Sequence, residues 1–145
     1  MIQLSQFKEH VRASNGGMTF MWNFSQLTDR QMQELGVYYS RQTPMKGEKT
    51  KSPLLIRGRA LYENGNSDAG IPPCASCHGN LALGKEEIPR LAGQHSRYLA
   101  EQISAFKNSK NRPNAVAMMS LSHHLSEEDI QAISIYLGSD GVGSP

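Results

Sequence analysis

Apolar residues recur every three or four positions over most of this chain, the period of an amphipathic helix. Leu4, Phe7 and Val11 follow that spacing at the start. A second helix is predicted from Leu54 through Ile56, Ala60, Leu61 and Tyr62, with Asn64-Gly65-Asn66 and Gly70 ending it. Two further helices carry readable starts. Ser126 is an N-cap with Asp129 three residues on, and Leu125 and Ile130 flank it as a hydrophobic staple. Thr28, Gln31, Leu27 and Met32 repeat that arrangement. Strand signals are nearly absent, so the expected class is all-α.

The two capped helices belong to a longer repeat. Gln3-Leu4-Ser5-Gln6-Phe7-Lys8 matches Gln102-Ile103-Ser104-Ala105-Phe106-Lys107. Leu27-Thr28-Asp29-Arg30-Gln31-Met32 matches Leu125-Ser126-Glu127-Glu128-Asp129-Ile130, and Leu35, Val37 and Tyr38 match Ile133, Ile135 and Tyr136. The spacing between these landmarks differs by one residue between the copies. Two unrelated amphipathic helices would share a period, but not aligned Gln, Phe, Lys and Tyr. Residues 1–43 therefore read as the second half of a domain whose first half is missing. Residues 44–53, with Pro44, Gly47, Pro53 and several lysines, have the composition of a linker. Residues 54–145 read as a complete domain.

A chain of 145 residues holds one such domain and part of another. Its mean hydropathy of -0.50 allows only a modest apolar core. The net charge of +2 gives no basic stripe and no case for nucleic acid. No apolar run approaches membrane-spanning length.

Cys74-Ala75-Ser76-Cys77-His78 holds the only two cysteines. C-x-x-C-H is the spacing of c-type haem attachment. Two thiols so placed can add across the vinyl groups of one porphyrin, and the adjacent imidazole reaches the iron. Structural zinc would need about four ligands, and no second C-x-x-C exists, while His123 and His124 are adjacent rather than spaced. A redox dithiol would be expected in a strand-helix-strand setting, which is absent around Cys74. A plain disulfide is the bland alternative. The reading is one haem c per chain. Its covalent attachment takes place outside the cytoplasm, so a periplasmic location is expected, with an export signal upstream of Met1.

The iron then needs a sixth ligand or an open site. Methionine and histidine serve in electron-transfer cytochromes. Downstream of His78 the methionines are Met118 and Met119, in a loop-like stretch between Pro113 and the capped helix at Ser126. Met118, seven residues before Leu125, is favoured, with Met119 as the alternative. His95, His123 and His124 are the competing ligands. In the first copy Met18 and Met21 flank the aligned position, which falls on Phe20, and neither is expected to bind haem.

With these residues the chain resembles class I c-type cytochromes, specifically the dihaem cytochrome c4 family. The resemblance rests on Gly58-Arg59-Ala60-Leu61-Tyr62, on Gly70-Ile71-Pro72-Pro73 leading into the cysteine motif, and on Pro89-Arg90-Leu91-Ala92-Gly93-Gln94-His95. It continues through Tyr98-Leu99, Gln102, Phe106, Met118-Met119 and Leu125-Ser126. It implies a class I fold of three to five helices around one haem c, preceded by the helical half domain. It implies haem-edge roles for Pro89, Arg90 and Tyr98, with Arg90 and Gln94 as contacts for the propionates. A solvated Arg90 and a core Tyr98 are the plain structural readings. It also implies that the Gly58 and Tyr62 helix crosses the final helix near Tyr136. The family usually carries Gly where Ala82 stands, and the first haem motif is absent.

The implied function is periplasmic electron transfer through a His/Met haem, without bond-making on a substrate. Redox partners would include a terminal oxidase or a quinol or cytochrome c reductase. A cytochrome subunit of a larger dehydrogenase or oxidase is the alternative. A haem enzyme or gas sensor with an open distal site is a third. Leu4, Phe7, Val11, Leu35 and Tyr38 would leave an uncovered apolar face on the half domain, which suggests a homodimer.

Overall fold

The computed structural model describes residues 2–12, 17–108 and 115–143. Among them the regular structure is helical: α1 (Ile2–Lys8), α2 (Gly17–Phe24), α3 (Asp29–Ser40), α4 (Leu54–Asn64), α5 (Ala75–His78), α6 (Ser96–Asn108), α7 (Val116–Ser122) and α8 (Glu127–Leu137). A 3-10 turn, Ser67–Ala69, lies between α4 and α5. The five helices α4 to α8 are the class I set, and β pairing among the described residues is confined to isolated bridges.

Both capping boxes form. The Thr28 and Ser126 side chains accept the N3 backbone N–H, and Gln31 and Asp129 reach back to the cap backbone. Glycine decides the main crossing, between α4 and α8. A Cβ on Gly58 would lie 2.1 Å from the Ala132 carbonyl oxygen and 2.8 Å from Tyr136 Cβ. The absence of a side chain there lets the helices close. One turn on, the Tyr62 and Tyr136 rings pack with centroids 5.7 Å apart. The buried Tyr62 hydroxyl then donates to the Gly79 carbonyl at 2.6 Å, tying α4 to the end of α5. Among the described residues the main apolar cluster lies within α4 to α8 and the loops between and after them, with Leu61, Leu99, Ile103, Ile130, Ile133 and Leu137 in it, while Phe7 and Met32 are buried outside it.

The structure departs from the sequence reading in three places. Helix α1 ends at Lys8, so Val11 lies beyond it rather than on its face. Phe7 is buried, not uncovered: the Arg12 guanidinium carbon sits 4.5 Å from its ring centroid. Val11 and Tyr38 are exposed as expected, Leu4 and Leu35 are half-buried, and exposure extends to Phe20, Phe24, Val37 and Tyr39. Finally, Met118 and Met119 lie on helix α7 rather than in a loop, while Pro113 lies outside the described residues.

The segment 44–53 is polar, yet part of it is strapped to the following domain. The Glu48 N–H donates to the Gly138 carbonyl at 2.8 Å, and the Asp140 N–H donates to the Glu48 carbonyl at 3.2 Å. Composition reads side chains, and this strap is held by backbone.

Candidate haem site

Asn66 and Ile71 exchange backbone hydrogen bonds and close the turn before Pro72-Pro73. That turn delivers the chain into α5. The single helical turn carries the whole motif, closed by the His78 N–H on the Cys74 carbonyl at 3.0 Å. Both thiols are free. Cys77 is exposed, and Cys74 is half-buried, with burial pushing its thiol up to about 11.

His78 is 7% exposed. Its Nδ1 lies 3.0 Å from the Pro89 carbonyl oxygen. A carbonyl can only accept, so Nδ1 carries the proton and Nε2 keeps its lone pair. Such a bond orients a metal-ligating histidine and fixes its tautomer. Burial also lowers the imidazole's proton affinity, against the raising effect of that hydrogen bond. The ring is therefore held neutral, the form that binds a metal.

The loop after α5 presents Pro89. The Gly84 N–H donates to the His78 carbonyl, and the Ala82 carbonyl accepts from both Leu91 and Ala92. Gly84 has φ +72, and a Cβ there would sit 2.3 Å from the Ile88 carbonyl oxygen. Ala82 is fully buried with φ +53. A left-handed conformation favours glycine, as the family resemblance implies for this position, and alanine carries strain there.

Met118 and Met119 are both half-buried on α7. The fully buried Ser122 hydroxyl donates to the Met118 carbonyl. In the first repeat the fully buried Ser25 hydroxyl donates to the Met21 carbonyl. This pairing aligns Met21, not Phe20, with Met118, and aligns Trp22 with Met119. Sequence reading missed the two serines. Their signal was a Ser four residues after a Met in both copies. The side chain of Met18 lies outside the described residues.

The remaining candidates are placed as follows. Pro89 joins His78 through its carbonyl. Arg90 is exposed, with Nε donating to the Ala92 carbonyl at 3.2 Å. The Gln94 side-chain oxygen accepts from the His95 backbone N–H at 2.9 Å. Gln94 and Tyr98 line an open groove with Met45, Lys46 and Glu48 of the strap, which puts Tyr98 at the surface rather than in the core. His95 faces Glu48 at 3.9 Å, and His123 and His124 are exposed.

Residues 55–140 match the family model described as Cytochrome c. The chain belongs to the cytochrome c family, in its cytochrome c4 branch. It is 34% identical over 140 residues to a Thiocapsa roseopersicina cytochrome c4, covering 93% of this chain and 70% of that protein. It is 31% identical to an Acidithiobacillus ferridurans cytochrome c-552, covering 94% of this chain but 60% of the relative. A solved Acidithiobacillus ferrooxidans cytochrome c4 superposes with a TM-score of 0.88 at 31% identity, covering 95% of this chain and 80% of that one. The chain thus spans about 60% of the length of one curated relative and 70% of another. The cytochrome c family implies haem c as the cofactor, and the residues fit it: two free thiols share one helical turn with a buried, neutral imidazole that has one nitrogen already used.

Proposed function

We propose that this cytochrome carries single electrons through one haem c, attached at Cys74 and Cys77 and ligated by His78 and Met118. The observation that carries this reading is the buried His78, oriented by Pro89 within an intact C-x-x-C-H turn. When bound, the iron supplies a one-electron couple whose potential the axial ligands and burial set. The chain's own work is to orient and shield. Tyr62 anchors the end of α5, Pro89 fixes the imidazole, and Ser122 holds the α7 backbone at Met118. Met118 is preferred over Met119 because the serine-marked position holds methionine in both repeats, whereas the other holds Trp22 in the first. Mass spectrometry of exported, denatured protein tests the attachment. One retained haem per chain is expected, and a haem lost on denaturation would refute it.

The supporting frame is a half domain over 1–43, a strapped linker over 44–53 and a complete haem domain over 54–145. Covalent haem attachment takes place outside the cytoplasm, which supports a periplasmic location. Among the described residues no helix is long and apolar enough to cross a membrane. The partners are redox proteins, such as a terminal oxidase or a quinol or cytochrome c reductase. One observation favours service to a dehydrogenase: a Thiomonas intermedia relative is named a thiosulfate dehydrogenase electron acceptor. Co-purification with a large catalytic subunit would separate that reading from a free carrier.

The exposed Phe20, Phe24, Val37, Tyr38 and Tyr39 support a homodimer through the half domain. Sedimentation of the whole chain against one starting at Pro44, which keeps the Glu48 strap, tests this. Equal monomers would refute it.

A further inference from the structure

Arg12 stands where the two repeats meet. Its Nη1 donates to Gln3 Oε1, and its Nη2 donates to Gln102 Oε1 at 3.2 Å. Gln3 and Gln102 occupy the same position in the two repeats, so one guanidinium bridges a pseudo-symmetric pair. Arg12 is 9% exposed, and its Nε is buried without a hydrogen-bond partner. No ion pair among the described residues includes Arg12. The segments 13–16 and 109–114 contain no Asp or Glu that could supply one.

A buried guanidinium cannot escape its desolvation cost by losing a proton. Among the described residues the guanidinium meets the Phe7 ring and two neutral amides, none of which carries a negative charge, so an anion would complete the site. The unpartnered Nε and the adjoining Nη form the fork that can receive a carboxylate in bidentate fashion. The haem brings two carboxylates of its own. Gln102 lies one turn beyond Tyr98 on the same face of α6, and α6 packs on α7, which carries Met118.

We propose that Arg12 binds a propionate of the haem attached at Cys74 and Cys77, so that the N-terminal repeat sets the potential of the following domain. This rests on the attachment reading above. Arg12 acts on the iron through the propionate's charge: a fixed cation offsets that charge and favours the reduced, less positive iron. Removing it should lower the potential.

The test uses exported holoprotein, with covalent haem in the wild type verified first. Haem missing there refutes the attachment reading. With haem in place, Arg12→Gln should lower the equilibrium constant for reduction at least threefold, about 28 mV for one electron. Arg12→Lys, which keeps the charge and is expected to fold, should hold the potential near the wild-type value. Its propionate bending modes in resonance Raman should nevertheless shift, because lysine cannot offer the same fork. That second readout decides the matter if Arg12→Gln does not accumulate. An unshifted potential in folded Arg12→Gln, or unshifted propionate modes in Arg12→Lys, would overturn the proposal.

Discussion

The two repeats of this cytochrome make the same local contacts and bury opposite amounts of surface. In each, a lysine at the end of the first helix donates to the carbonyl before a helix cap: Lys8 to Leu27 at 2.7 Å, and Lys107 to Leu125 at 2.8 Å. Each has a capping box and a serine on a methionine carbonyl. Yet α8 buries Ile130, Ile133 and Leu137, whereas α3 buries only Met32. Tyr39, at the position of Leu137, is 67% exposed against 1%. The difference is α4. It covers α8, and among the described residues no counterpart covers α3. Caps and side chain to backbone bonds are written locally and survive without a partner. Burial belongs to the pair of surfaces, not to either sequence alone.

The largest expected difference between the repeats is at the methionines. Met118→Ala should abolish the absorption band of methionine-ligated ferric haem and lower the potential. Met21→Ala, at the matching position, should change neither. Met119→Ala should do little. If Met119→Ala removes the band instead, the serine-based alignment has picked the wrong methionine.

Packing comes next. Leu137→Ala removes a fully buried side chain from the α4–α8 core, a change that costs about 2–5 kcal/mol. Tyr39→Ala should alter monomer stability by less than about 0.5 kcal/mol, as surface substitutions do. Urea denaturation of the two variants measures the contrast. A Tyr39→Ala loss comparable to that of Leu137→Ala would mean that α3 is covered in solution, and a concentration dependence would trace it to self-association.

The capping boxes differ in that one titrates and is tied to a distant arginine. Burial alone would push the Asp129 carboxyl up, but hydrogen bonds from Ser126 and Arg57, with the Arg57 charge at 2.7 Å, hold it below the usual range. Its stabilisation is therefore fully present above the unfolded carboxylate pKa of about 3.9 and is lost as pH falls through the lower folded value. Gln31 carries no charge, so the first box is indifferent to pH. Asp129→Asn should reduce the acid sensitivity of unfolding below about pH 4, and at neutral pH it should cost about 1–3 kcal/mol through the loss of charge-assisted hydrogen bonds with Arg57. An unchanged acid limb would assign the sensitivity to other carboxylates.

Much of this was legible in the chain. Period and caps gave α1, α3, α4 and α8, and C-x-x-C-H gave the candidate site, because both signals are local, whereas α2 was not foreseen and α7 was expected as a loop. The Gly58 crossing followed from the family resemblance. What was not legible depended on contacts between distant segments: the Glu48 strap, the Pro89 carbonyl on His78, and the burial of Phe7 under Arg12. The register of Met21 was missed for another reason. Alignment by apolar positions favours Phe20, and the deciding mark was a hydroxyl bonded to a backbone carbonyl.

The smallest effect is expected in the loop that follows the C-x-x-C-H turn. Ala82 holds φ +53 with its methyl fully buried. Glycine there would relieve a left-handed cost of about 1–2 kcal/mol. It would also forfeit the burial of one methyl, about 0.8 kcal/mol. The freer unfolded chain would take back another 0.4–1 kcal/mol or so. These terms nearly cancel, so alanine is tolerated at this left-handed position. Ala82→Gly should therefore move unfolding stability by less than about 1 kcal/mol and leave the Met-ligation band in place. A gain of about 2 kcal/mol or more would show that strain dominates. A comparable loss would show that the methyl is packed more tightly than its size suggests.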